Sequence, residues 1–500
     1  MTRETSQAHN TDERNTAGIL GSRWPAIGYA VLLAAQVAVR LHSGSALWLD
    51  EALSVNIARL PLPQLFAALR HDGSPPLYYF LLHGWIALFG TGDDAVRALS
   101  TVFSVLALPV AYLVGRRLAD RFTGLAAAML MAACPFAIRY ATEARMYALV
   151  MLLTLAGLLL VLRALERPRP ARLAAVAAVA GLLALTHYWA IFLLAAGEAV
   201  LLARASRQHG RGPWLRVAIA IASGAVLFLP WLPSFVFQER HTGTPWAPAP
   251  TWHDAVNTLR QWNGPGPAGI VLALVVAALT LRALPRPAAR QLLFLGLGAL
   301  VLGLVVSRIG GAGYALRYSA PDVAAVLLVP ALGAARLAGR RGAAALTVVA
   351  MLGLGVAVLS PLLGSRTQAR HTAALLRAHL RPGDLVVYCP DQLGPAVDRL
   401  LPAGTDEVVY PTMSTPQRVD WVDYAARNAA GSPGAFAAAA SARATGEVWL
   451  VRADGYRTFG TQCAELDQDL AALRGGPAGI LQRPAASGES EWLEGYAAPS

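Results

Sequence analysis

The sequence predicts a polytopic α-helical membrane protein with about eleven transmembrane helices and a long first external loop carrying interfacial helices, followed by a C-terminal extracytoplasmic α/β domain. Three observations carry this prediction. Of 500 residues, 55% are hydrophobic and 14% charged, with a mean hydropathy of +0.46, whereas about a quarter of the residues of a soluble domain are charged. Apolar runs long enough, or nearly so, to cross about 30 Å of hydrocarbon recur up to Ser360. Beyond about residue 366 the pattern changes to β-branched runs bounded by turn residues, DLVVYCP, EVVYPT and EVWLVRA, alternating with Ala-rich helical stretches.

The runs begin near Trp24, Ala98, Thr123, Met146, Ala171, Trp189, Val217, Ala268, Gln291, Ser319 and Ala343. The formal charge is +12 and every basic residue other than histidine is arginine. These arginines fall in short clusters between alternate runs, such as Arg116, Arg117 and Arg121, or Arg204, Arg207, Arg211 and Arg216. Such clusters mark cytoplasmic connections, and nothing in them forms a nucleic-acid-binding patch. Residues 1–23 are then a cytoplasmic tail, too long and polar to precede an ordinary signal peptide, so the first span stays as an anchor. PPLYYFLLHGWIALFG (75–90) breaks the alternation if counted as a span; its length and aromatic content predict a helix in the outer interface, inside an external loop from about 42 to 96. The domains are residues 1–23, 24–362 and 363–500. Cys134 lies in an apolar run, while Cys389 and Cys463 lie in the C-terminal domain, where one disulfide is an open option. That domain has no GxGxxG or Walker pattern and reads as a cap on the membrane part.

With this threading, polar residues gather on the external face. Asp50, in WLDEA, is the candidate general base for an inverting glycosyl transfer, in which one carboxylate takes the acceptor's proton opposite the departing phosphate. Its neighbour Glu51 points elsewhere on a helix or strand and orients the surroundings of Asp50 or holds a sugar hydroxyl. The same pair also suits the N-terminus of a helix beginning at ALSVNIAR. In HDGSPPLYY, His71 and Asp72 are candidate substrate contacts or plain turn residues, and GDD (92–94) reads as a helix start. IRYATEARMY offers Arg139, Tyr140, Glu143 and Tyr147 as substrate contacts; Arg139 and Glu143 are one turn apart and suit a local ion pair. Arg145 and Arg317 are candidate phosphate ligands, Arg308 a weaker one, since guanidinium binds phosphate bidentately and keeps its charge. His187 and Tyr188 at a tight turn, and Tyr318, complete the substrate-binding set. A divalent cation shared by Asp50, Glu143 and a histidine is a further candidate, on a weak donor pattern.

WLDEA after a first span, then SPPLYYFLLHGWIALFGTGDDAVRALSTVFSVLALPVAYLVGRRLADRFTGLAAAML and YATEARMYAL, resemble the GT-C glycosyltransferases. More closely, they resemble the dolichyl-phosphate-mannose protein mannosyltransferase-like group, family 39 with its bacterial relatives, including the lipid A aminoarabinose transferases. The likeness covers roughly the first 200 residues. It implies a polyprenyl-phosphate-sugar donor, transfer outside the membrane, and the aspartate of the first-loop Asp-Glu pair, here Asp50, as base. In the aminoarabinose transferases a lysine just before the PPL segment contacts the lipid phosphate; Ser74 stands there in this chain, which has no lysine. Phosphate binding then passes to arginine, first Arg145 and Arg317.

The expectation is thus a multi-pass membrane glycosyltransferase that moves a monosaccharide, with mannose as first choice, to a lipid, glycan or protein acceptor in assembly of a bacterial cell envelope. A transporter or flippase, with ionisable groups near the middle of broken helices, and a non-catalytic envelope scaffold are the alternatives.

Overall fold

The computed structural model describes residues 23–500 except 42, 208–210, 338, 360–363, 477–478, 486–487 and 499–500. The expected tail before Arg23 and the expected domain boundary at 362/363 lie outside the described residues. All eleven apolar runs are helical. Six helices among the described residues are long and apolar enough to cross a membrane: Asp93–Leu118, Tyr147–Glu166, Gly212–His241, Gly266–Ala283, Pro287–Gly310 and Arg340–Leu359. The pair Arg121–Ala133 and Pro135–Ala141, bent by 61°, makes a seventh if it is one span. The other runs are shorter (Arg23–Val39, Pro170–Thr186), broken (Ala320–Val326 and Leu328–Ala334), or charged, as Ala190–Arg207 is through Glu198, Arg204 and Arg207.

Small residues let these helices pack backbone to backbone, the usual device where lipid supplies no hydrophobic drive between helices. A Cβ on Gly115 would lie 2.6 Å from the Thr123 carbonyl oxygen, and one on Gly353 would lie 2.1 Å from that of Ala133. Those two contacts join Asp93–Leu118 to its neighbour and the last helix to the bent pair.

The long loop folds into three helices: Leu49–Ala58, Leu62–Asp72 and Leu77–Phe89. Pro61 precedes the second, and Gly73 ends it in the left-handed region at φ +82°. At 13 residues, Leu77–Phe89 is about 20 Å long, too short to cross, and it buries Tyr78, Tyr79 and Leu82 against the body of the protein.

The C-terminal region is a five-stranded mixed sheet of order β2-β1-β3-β5-β4, with β1 Leu385–Cys389, β2 Glu407–Val409, β3 Val448–Arg452, β4 Gly479–Gln482 and β5 Trp492–Tyr496. β1 runs parallel to β2 and β3, and β5 antiparallel to β3 and β4. All five residues of both β1 and β3 are buried, as strands covered on both faces must be, and both read as near-continuous apolar runs. Cys389 and Cys463 form a disulfide. The domain docks on the long first loop and on the end of the helix Gly212–His241 by main-chain and side-chain hydrogen bonds: Trp421 N donates to His71 O (3.0 Å), Asp423 N to His241 O (2.8 Å), Asn56 Nδ2 to Gln417 O (2.7 Å) and Arg399 Nη2 to Thr91 O (2.9 Å).

Candidate active site

The helix Leu49–Ala58 starts after Trp48, whose backbone is extended and whose side chain gives no cap. Asp50 and Glu51 occupy its first turn, where the helix dipole favours negative charge. Consecutive helical side chains diverge by about 100°, so the two carboxylates enter different surroundings. Glu51 is fully buried and accepts from Arg97 Nε (2.8 Å) and Nη2 (2.6 Å) and from the amide of Ala144 (2.9 Å), with Arg366 Nη1 at 3.6 Å. Burial alone would raise its pKa; the Arg97 hydrogen bonds and charge, with Arg366, hold it below the usual carboxylate value. Glu51 thus lies outside the lining of the cavity that Asp50 faces, which corrects the expectation that it holds a sugar hydroxyl; its buried ties to Arg97, Ala144 and Arg366 fit the other expectation, that it orients the surroundings of Asp50.

Asp50 instead faces a cavity of about 630 Å³ between helix ends and the C-terminal domain. Arg317 Nη2 lies 3.3 Å and Arg145 Nε 4.0 Å from Asp50 Oδ2. Arg145 Nη1 also donates to Ser54 Oγ and to the Tyr79 hydroxyl, both at 3.0 Å, and Tyr79 donates on to Asp72 Oδ2 at 2.9 Å. The Arg317 guanidinium is flanked by the rings of Trp246 (4.9 Å), Trp48 (5.6 Å) and Tyr318 (5.8 Å), which fixes its plane and favours its charge. Asp50 Oδ2, Arg145 Nε and Arg317 Nε are buried without a hydrogen-bond partner. Two oriented guanidinium groups around one carboxylate, with hydrogen-bonding capacity to spare, can take a phosphate while the carboxylate accepts a proton.

Tyr147, His187, Tyr188 and Tyr318 line the same cavity with Asp72. Burial, and then the charges of Arg145 and Arg317, push His187 down to about 3, so its ring is neutral; Nδ1 accepts from Trp189 N at 3.2 Å. The Tyr188 hydroxyl accepts from Trp231 Nε1 (2.8 Å) and donates to Gln238 Oε1. Asp72 is raised by burial against the pull of Arg145.

Five expected contacts lie elsewhere. His71 is exposed on the last turn of the helix Leu62–Asp72 and pairs with Asp420 of the C-terminal domain (2.9 Å). Arg139 and Glu143 form the local pair at 3.6 Å, and Glu143 lies 3.8 Å from Arg366 in the buried ion cluster beneath Asp50. Tyr140 and Arg139 line a separate cavity of about 660 Å³. Arg308 is exposed on the last turn of Pro287–Gly310, outside the lining. The cation site built on Asp50 and Glu143 is likewise not assembled, since Glu143 faces the arginines; among the described residues no three or more His, Cys, Asp or Glu side chains cluster as metal ligands.

Sequence reasoning missed Trp48, Tyr79, Trp246, Tyr456 and Glu489. Trp48 and Tyr79 stand inside quoted motifs, so adjacency to Asp50 and to the PPL segment was a usable signal. Trp246, Tyr456 and Glu489 come from distant segments with no local mark.

Residues 73–233 match the family model for dolichyl-phosphate-mannose-protein mannosyltransferase. No curated protein matches the chain by sequence. Among solved structures, ArnT from Cupriavidus metallidurans in the apo state is similar at 14% identity and TM-score 0.64, over 95% of this chain and 100% of that one. The same protein bound to undecaprenyl phosphate is similar at 14% identity and TM-score 0.60, over 95% and 99%. AglB, the oligosaccharyltransferase of Archaeoglobus fulgidus, in complex with an inhibitory peptide and a dolichol-phosphate, is similar at 13% identity and TM-score 0.53, over 86% and 70%. The chain has the polytopic fold of these membrane glycosyltransferases.

Proposed function

We propose that this chain is an inverting glycosyltransferase that moves one monosaccharide, with mannose the first candidate, from a polyprenyl-phosphate carrier to a lipid, glycan or protein acceptor outside the membrane. The supporting observation is the convergence of Asp50, Arg145 and Arg317 in one cavity where the helix ends meet the C-terminal domain. In this reading the acceptor hydroxyl gives its proton to Asp50 as its oxygen bonds to the anomeric carbon. The bond from that carbon to the phosphate breaks on the opposite face, and the polyprenyl phosphate leaves on Arg145 and Arg317. Neutral His187 and the tyrosines Tyr147, Tyr188 and Tyr318 offer hydrogen bonds to an uncharged sugar without adding competing charge. This reading has the N-terminus in the cytoplasm and the C-terminal domain outside: arginine clusters between alternate helices favour the first, and the disulfide favours an oxidising compartment for the second.

Mass spectrometry of envelope glycolipids and glycoproteins from a strain lacking the gene tests this reading. The expected result is loss of one hexose or pentose from a single class of glycoconjugate, restored by the wild-type chain. An unchanged glycan profile in the deletion strain would overturn it.

A further inference from the structure

We infer that Glu489 of the C-terminal domain is a positioning residue for Asp50, completing the N-terminus of the helix that carries the base; this rests on the assignment of Asp50 above. The helix Leu49–Ala58 has no side-chain cap of its own, because Trp48 occupies the capping position. The first amides of any helix lack intrahelical partners, and here the Leu49 amide donates to both carboxyl oxygens of Glu489, at 3.0 and 3.2 Å, across 440 residues of sequence. The capped residue immediately precedes Asp50, so the contact sets where the helix begins and hence where the Asp50 carboxylate projects.

Glu489 is itself held from the other side. Its amide donates to Arg366 O (2.7 Å) and its carbonyl accepts from Gln368 N (3.0 Å). Gly488 before it adopts φ +72° and packs so closely on Arg366 that a Cβ would lie 2.2 Å from the Arg366 carbonyl oxygen. Arg366 in turn donates to Thr142 O (2.7 Å) and Oγ1 (2.6 Å) and lies 3.6 Å from Glu51. The start of the Asp50 helix is thus clamped between Glu51 below and Glu489 above, and one arginine is tied to both. Glu489, Trp48 and Tyr456 also form the wall shared by the two cavities, so the clamp sits where the C-terminal domain closes on the reacting space. Burial, with the negative charges of Glu491 and Asp50, raises the Glu489 carboxyl well above its ordinary value. What the Leu49 amide needs is an acceptor oxygen at this position, which a carboxyl and an amide side chain both supply. A glutamine should therefore replace it, and an alanine should not.

The test compares full-length Glu489→Ala and Glu489→Gln at matched membrane levels. Amide hydrogen exchange over residues 48–54 is followed in the purified protein, and the restored glycan in the deletion strain. In Glu489→Ala, exchange over 48–54 should rise at least tenfold and restored glycan fall at least tenfold, while Glu489→Gln keeps at least a third of the wild-type level and wild-type exchange. Unchanged exchange in Glu489→Ala, or a Glu489→Gln as impaired as the alanine variant, would overturn the inference. Asp50→Asn runs alongside: wild-type glycan levels in that variant would defeat the base assignment itself, a result separable from the exchange measurement.

Discussion

At the scale of single residues, two adjacent carboxylates do different work because one faces arginines and the other a cavity. WLDEA made the pair legible and helical periodicity showed that the two diverge; which of them was internal depended on Arg97 and Arg366, 46 and 315 positions from Glu51, and no local pattern announces such partners. Truncating Glu51 leaves Arg97 buried without its charge partner, so Glu51→Ala should destabilise the protein by about 3–5 kcal/mol, read as a lowered thermal midpoint in detergent. Arg317 faces the cavity with Asp50 and three rings, so Arg317→Ala should fold normally and raise the KM for the lipid-linked donor at least tenfold, with Arg317→Lys intermediate because it loses the planar fork. A thermal shift in Arg317→Ala as large as that of Glu51→Ala would assign Arg317 to the scaffold instead.

At the scale of elements, each of the eleven apolar runs is helical among the described residues, and six of those helices, or seven with the bent pair, are long and apolar enough to cross a membrane unbroken. The run from Ser319 onward, apolar except for Asp322, breaks between Val326 and Leu328, and hydropathy does not record a break. The interfacial helix Leu77–Phe89 was legible because arginine alternation forbade it as a span. In the C-terminal domain the β-branched runs gave β1, β2 and β3, whereas β4 and β5, GILQ and WLEGY, have too little β-branched character to stand out. That domain also buries acids that sequence reading ignored. Asp391, Glu407 and Glu491 are each pushed up to about 7, with burial the leading cause. An acid whose folded pKa exceeds its unfolded one, near 4 to 4.5, contributes most below that unfolded value and loses the contribution as pH rises through 7. Limited proteolysis of the C-terminal domain should accordingly speed up by about tenfold or more between pH 5 and pH 8; a rate independent of pH would remove these groups from the balance.

At the scale of the whole molecule, the cavity that holds Asp50 is lined from both halves of the chain. Asp50, Arg145 and Arg317 come from the membrane part, and Glu489 and Tyr456 from the sheet domain that the sequence reads as a cap. The disulfide links β1 to the helix Gln462–Arg474 across 74 residues. Closing a loop of that size stabilises by about 4 kcal/mol in the chain-entropy picture, so Cys389→Ser should loosen the C-terminal domain to protease and lower glycan restoration along with it. Loosening without any loss of restoration would return the domain to the role of a passive cover.

The most direct measurement of the central claim is turnover of the polyprenyl-phosphate sugar by Asp50→Asn and wild-type protein reconstituted at equal levels. With the base removed and the two arginines intact, product formation should fall at least a hundredfold while donor binding changes little. Equal turnover by the two proteins would contradict the account.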